Sequence, residues 1–223
     1  MKLVFLHGLG QTNDSWNEVI KYIDAPNILR ISLNELTKES KSITFSELSE
    51  NLTKLLKTIE EPFIVIGLSL GGCFALQQGL SNDSKLKGLV VSGAQYSMTN
   101  SRKIRILFLI QKYVFKLLPQ QIWQKQRLDK STVIPLYNSM ENFDLSNQLH
   151  LITIPTLVMI GSKDKANIPA SKEIAKKILN AQLKMIKDGK HELNTQMPKV
   201  FANVLNEFML NIDLFGSCNI SSK

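Results

Sequence analysis

Apolar residues arrive along this chain in short unbroken runs rather than in alternation. Leu3-Val4-Phe5-Leu6, Ile64-Val65-Ile66, Leu89-Val90-Val91 and Leu157-Val158-Met159-Ile160 are each apolar on consecutive positions. A strand covered on one face alternates apolar with polar, whereas a strand covered on both faces does not, and parallel sheets are covered on both. Six such segments predict strands at 2–8, 27–33, 63–69, 87–94, 154–162 and 181–188. The stretches between them predict helices at 14–23, 44–60, 70–80, 171–180 and 195–210. This alternation predicts an α/β fold: a six-stranded, parallel, doubly wound sheet with helices on both faces and right-handed crossovers.

One connection breaks the rhythm. From Gln95 to Thr153 no clear strand is legible, a span far longer than an ordinary βα crossover. Its first part, SRKIRILFLIQKYVFKLL, reads as a helix with Arg102, Arg105, Lys112 and Lys116 on one stripe, interrupted by Leu109, and Pro119 beyond its end. The expectation is a helical cap inserted at about 95–153, lying over the carboxyl ends of the strands where open α/β sheets bind ligands. An enlarged structural crossover is the alternative. The chain's 223 residues are too few for two full domains and ample for one core, so residues 1–223 are expected to form a single domain. The final FGSCNISSK is expected to fray.

Charge changes the picture little. The formal net charge is +8, but only Arg30, Arg102, Arg105 and Arg127 are arginine, and the lysines are dispersed among acids. Nucleic-acid binders cluster their basic residues and favour the arginine fork, so no nucleic-acid partner is expected. The basic stripe of the 101–118 helix leaves peripheral membrane contact as a minor reading. No apolar run is long enough to span a bilayer, and charged residues follow the amino terminus too soon for a secretory signal, so a cytoplasmic protein is expected. Cys73 and Cys218 form neither a disulfide framework nor a metal-binding spacing, and no metal site is expected.

Candidate chemistry centres on FIVIGLSLGGCFALQQGL, residues 63–80, where a buried strand stops in glycine and restarts as a helix. Gly67, Ser69 and Gly71 form a G-x-S-x-G pattern. The motif is weak alone, because glycines can simply make a turn and a serine can cap a helix. The strand before it and the helix after it are what a nucleophile elbow requires. A serine hydroxyl needs a base to take its proton and a carboxylate to orient that base. Of the three histidines, His7 ends the first strand, His150 lies in a polar stretch and reads as an exposed loop residue, and His191 follows the last strand. His191 occupies the place of a base. Asp164, just beyond the penultimate strand, is the favoured acid; Asp188, three residues from His191, is the competitor, with a turn-shaping role as its alternative.

HGLG after the first strand, GLSLGG at the elbow, GSKD after the penultimate strand and GKHE after the last together resemble the α/β-hydrolase superfamily, in its small, capped, cofactor-free branch. The resemblance covers nearly the whole chain, in the family's order of serine, acid and histidine. It departs in starting the first strand at residue 2, without the antiparallel hairpin that opens many members. The resemblance implies Ser69 as nucleophile, His191 as general base, Asp164 as its orienting carboxylate, and the backbone amides of Leu9 and Leu70 as an oxyanion hole, with His7 positioning the oxyanion loop. The substrate implied is a small carboxylic ester or thioester, with an apolar group suggested by the apolar cap. Lactone or carbon–carbon bond hydrolysis, and a sensor that keeps the triad but turns over little, are the alternatives.

Overall fold

The unbroken apolar runs have a geometric reason: successive residues of the central strands enter opposite cores. Val4, Leu6, Val65, Leu89, Val91 and Val158 belong to one buried cluster. Their chain neighbours Leu3, Phe5, Ile64, Ile66, Val90 and Leu157 belong to the other. Each aliphatic side chain buried in this way contributes about 1.5–3 kcal/mol relative to exposure. The computed structural model describes residues 1–25, 27–38, 40–99, 102–125 and 129–218.

The strands are β1 (Lys2–Leu6), β2 (Asn27–Ile31), β3 (Phe63–Leu68), β4 (Leu86–Ser92), β5 (Thr156–Gly161) and β6 (Ala181–Ile186). They form one six-stranded sheet in the order β2-β1-β3-β4-β5-β6. Every pairing is parallel. The helices are α1 (Asn17–Ile20), α2 (Leu33–Thr37), α3 (Phe45–Lys57), α4 (Leu70–Gln78), α5 (Arg102–Leu117), α6 (Gln120–Lys125), α7 (Lys130–Ser139), α8 (Ile168–Lys177), α9 (Leu193–Gln196) and α10 (Pro198–Cys218). Residues of α3, α4 and α8 fill the first core. Residues of α1, α9 and α10 fill the second. The four central strands are therefore covered on both faces, as their sequence pattern demands, while the middle of edge strand β6 is exposed. The chain leaves β1 outward to β2 and returns to β3 on the other side, so the carboxyl ends of β1 and β3 flank a switch point where such sheets open a crevice.

Between β4 and β5 the chain forms α5, α6 and α7 before two single 3-10 turns, at Met140–Asn142 and Leu149–Leu151. Its base is closed by an antiparallel bridge between Ser97 and Asp144. The Met98 amide donates to the Phe143 carbonyl at 2.9 Å, and the Leu145 amide to that of Tyr96 at 2.8 Å.

Several boundaries differ from expectation for local reasons. The helix expected at 14–23 begins as a 3-10 turn, Asn13–Trp16, and continues only to Ile20; Asn13, Asp14 and Ser15 compete with the backbone for its own hydrogen bonds. Helix α2 was not anticipated. It is started by a capping box in which the Ser32 side chain accepts from the Glu35 amide while the Glu35 carboxylate accepts from the Ser32 amide. Helix α8 starts at Ile168, three residues earlier than expected, with Pro169 in its first turn. Helix α10 continues to Cys218 rather than fraying at Phe215, and residues 219–223 lie outside the described residues.

Candidate active site

Residue 69 sits where β3 turns abruptly into α4. Ser69 has φ 53° and ψ −112°, a conformation that costs a non-glycine residue about 1–3 kcal/mol. The surroundings enforce it. A Cβ on Gly67 would lie 2.1 Å from the Gly71 carbonyl oxygen, and one on Gly71 would lie 2.2 Å from the Leu6 carbonyl oxygen. These are backbone atoms that cannot move aside, so the two glycines of the pattern allow β1, β3 and α4 to meet. The Ser69 amide is pinned to the Ser92 carbonyl at 2.8 Å, and the Ser69 carbonyl accepts from Cys73 at 3.0 Å. Leu70 opens α4, where the first amides have no helical acceptor.

The segments following β5 and β6 are stitched together. The Ser162 amide donates to the Ile186 carbonyl at 2.9 Å and the Lys163 amide to the Gly189 carbonyl at 2.8 Å. This registers Asp164 against His191, whose Nδ1 lies 2.7 Å from Asp164 Oδ2. The Asp164 side chain is 6% exposed and that of His191 40%, so the carboxylate is enclosed while the imidazole reaches open space. Asn167 Nδ2 lies 2.9 and 3.0 Å from the two carboxylate oxygens and 3.1 Å from His191 Nδ1. Nδ1 cannot both donate to Asp164 and accept from Asn167. The carboxylate is the closer and stronger acceptor, so both donors converge on Asp164. Gly93, with φ +58°, makes room for the pair: a Cβ there would lie 3.1 Å from His191 Nδ1 and 3.3 Å from Asp164 Oδ2.

Asp188 is placed elsewhere. Its φ is 60°, its amide donates to Ser162 Oγ, and its exposed carboxylate pairs with Lys163 at 2.8 Å. His150 is exposed on the 3-10 turn Leu149–Leu151. His7 donates from Nδ1 to the Gly8 carbonyl at 2.9 Å and accepts at Nε2 from the Leu33 amide at 3.4 Å. Burial holds its pKa below the ordinary imidazole value, outweighing the opposing Gly8 hydrogen bond and the charge of Glu35.

Ser69, His191, Leu9 and Leu70 all border one pocket of about 400 Å³. The helices of the β4–β5 connection supply much of its apolar wall, through Phe108 and Phe115 of α5 and Leu136 and Tyr137 of α7. Cys73 also lines it, with Sγ 3.2 Å from the Gln95 carbonyl, but burial pushes its thiol up to about 12, so it carries no thiolate at neutral pH. The loop carrying Leu9 is braced by Gln11, whose Oε1 accepts from the Gly8 amide at 3.3 Å and from buried Asn194 at 3.1 Å. Among the described residues no cluster of three or more His, Cys, Asp or Glu side chains is arranged to hold a metal ion. Chemically, the pocket presents a strained hydroxyl, an imidazole with an enclosed carboxylate behind it, and amides at a helix start.

A model of the alpha/beta hydrolase family matches residues 3–204. The chain belongs to that family. This alpha/beta hydrolase is 22% identical to the monoacylglycerol lipase ABHD6 of Bos taurus, over 94% of this chain and 75% of that protein. It is 24% identical to the pimeloyl-[acyl-carrier protein] methyl ester esterase of Wigglesworthia glossinidia brevipalpis, over 94% of this chain and 93% of the relative. Its fold is shared with MenH from S. aureus at a TM-score of 0.78 and 19% identity, covering 96% of this chain and 94% of the other. Four residues around the candidate site escaped sequence reasoning: Gln11, Gly93, Asn167 and Asn194. Only Gly93 left a trace, as the glycine that ends the fourth apolar run.

Proposed function

We propose that this alpha/beta hydrolase cleaves a small carboxylic ester or thioester through an acyl-serine intermediate, with Ser69, His191 and Asp164 as its triad. The observation that carries the reading is the meeting, in one pocket, of a strained Ser69 and a His191 whose Nδ1 is engaged by Asp164 at 2.7 Å. With Nδ1 donating to the carboxylate, Nε2 is the free acceptor for the serine proton.

The Ser69 hydroxyl attacks the carbonyl carbon as His191 takes its proton, and the carbonyl oxygen becomes an oxyanion held by the Leu9 and Leu70 amides. The start of α4 adds the positive end of a helix dipole at that point. Collapse expels the alcohol or thiol, which receives the proton from His191. Water, deprotonated by the same imidazole, then attacks the acyl-serine, and collapse frees the acid as His191 returns the proton to the Ser69 oxygen. The 95–153 insertion acts as a cap, and its apolar side chains in the pocket favour an apolar acyl or alcohol group.

A fluorophosphonate probe read by intact mass, beside a panel of aryl esters of increasing chain length, tests the proposal. The native protein is expected to take one label and turn over esters, and Ser69→Ala to lose the label and about 10⁴–10⁶ of the rate. Labelling that persists in Ser69→Ala overturns the nucleophile. Labelling without multiple turnover of any ester overturns the enzyme reading in favour of a sensor.

A further inference from the structure

Helix α5 has two apolar sides, and the pocket is built mainly on one. Its inner side is fixed by aromatic contacts: Phe108 stacks on Tyr137 with ring centroids 4.2 Å apart, and Phe115 meets Tyr137 edge-on at 5.1 Å. Its outer side carries Ile106, Leu107, Ile110, Tyr113, Val114 and Leu117, all exposed. Residues 106, 110, 113 and 117 recur at steps of four, three and four, which places them in one row along the helix. Exposure rises to 64% at Tyr113 and 81% at Leu117. An amphipathic helix in a globular protein turns its apolar stripe inward, so an apolar row facing water marks a binding surface.

Charge decides what binds. At 100° per residue, Arg102, Arg105 and Lys116 flank the row on one side, Lys103 stands at its head, and α5 contains no acidic residue. A second copy docking through the same row would bring two cationic helices together. An anionic lipid surface instead complements the flank with headgroup phosphates and the row with acyl chains. The row is also adjacent to the pocket rim, because Leu107, beside the row, is both exposed and part of the pocket lining.

We propose that α5 is a membrane-docking helix that lies in the interface of an anionic bilayer, with its apolar row inserted among the acyl chains and the pocket rim opening toward lipid. Among the described residues no helix is long and apolar enough to cross a membrane, so the contact is peripheral. The inference is independent of which residue is the nucleophile.

Co-sedimentation with phosphatidylglycerol vesicles and with phosphatidylcholine vesicles, each at low and high salt, tests it on the native chain. Binding is expected to phosphatidylglycerol at low salt, to weaken at high salt, and to be at least tenfold weaker on phosphatidylcholine. Ile110→Gln with Leu117→Gln, and separately Arg102→Glu with Lys116→Glu, should each lose binding at least tenfold while retaining the melting temperature and turnover of a water-soluble ester. A Tyr113→Trp probe should shift its emission to the blue on phosphatidylglycerol vesicles and be quenched by brominated acyl chains. Absence of phosphatidylglycerol binding at low salt, equal binding by the variants, an unshifted probe, or a concentration-dependent dimer dispersed by the Ile110/Leu117 changes overturns the proposal.

Discussion

Gln11 and Asn194 lie 183 positions apart and exchange two hydrogen bonds, Gln11 Nε2 to Asn194 Oδ1 at 3.2 Å and Asn194 Nδ2 to Gln11 Oε1 at 3.1 Å. The pair locks the loop of Leu9 to the segment three residues beyond His191, and Asn194 extends the clamp to the Ser15 carbonyl at 3.3 Å. Two parts of the candidate site that come from opposite ends of the chain are thereby held in one frame.

Breaking that frame should affect rate more than binding. Asn194→Ala leaves the Gln11 amide without its partner, which should cost about 1–3 kcal/mol of stability, measured by urea unfolding. If the clamp positions the Leu9 amide for the oxyanion, kcat for an aryl ester should fall about tenfold with KM little changed. A merely structural role would lower stability and leave kcat per folded molecule unchanged.

The strain at Ser69 makes a prediction about stability alone. Ser69→Gly removes the Cβ from a backbone with φ 53° and ψ −112°, whereas Ser69→Ala keeps it there. Both variants should lose esterase activity. The glycine variant should nevertheless be more stable than the alanine variant by about 1 kcal/mol, the relieved strain less the entropy of glycine. Equal melting temperatures would show that the elbow stores no strain.

The acid is distinguished by comparing two carboxylates near His191. Asp164→Asn should lower kcat by about 10⁴, because an amide behind Nδ1 favours the wrong imidazole tautomer. Asp188→Asn loses only an exposed ion pair with Lys163 and should stay within about twofold of the native rate. Asn167→Ala removes both side-chain amide bonds to Asp164 and should fall between them. The reverse ranking of the two aspartates, at equal folded fraction, would assign the role to Asp188.

His7 should make the fold sensitive to mild acid. Burial lowers its folded pKa from the ordinary value of 6.5, so as pH falls through 6.5 the unfolded chain takes up a proton that the folded chain does not. The unfolded state then binds more protons, and stability is full above that value and declines below it until the folded group also titrates. Melting temperature measured against pH should drop across this window. His7→Gln, though less stable overall, should show a shallower slope there.

How much of this was legible depends on what kind of signal each feature leaves. The central strands were readable because consecutive residues have a core to enter on either face, as with Leu3 and Phe5 on one side of the sheet and Val4 and Leu6 on the other. The elbow was readable because backbone contacts near 2 Å permit nothing but glycine at 67 and 71. The S-x-x-E that starts α2, Ser32 to Glu35, is a purely local signal of a capping box. Asn167, Gln11 and Asn194 are a different case. A neutral amide carries no spacing rule, and its partner is chosen by tertiary structure, across 183 residues in the case of Gln11 and Asn194.

The bridge between Ser97 and Asp144 gives the intervening helices a single stem. Both ends of the excursion leave and re-enter at one point, held by the Met98–Phe143 and Leu145–Tyr96 backbone bonds. The entropy of closing that loop is met at its stem, while Phe108, Leu136, Met140 and Phe143 of the excursion join the core cluster on one face of the sheet and Ser139 Oγ accepts from the Phe45 amide of α3 at 2.8 Å. Ser69, His191 and Asp164 all stand on the sheet side of the stem, while Phe108, Phe115 and Tyr137 stand beyond it. Under the proposed function, exchanging this one contiguous stretch while keeping its core residues Phe108, Leu136, Met140 and Phe143 would re-tool which molecules enter and leave in place the groups that await them.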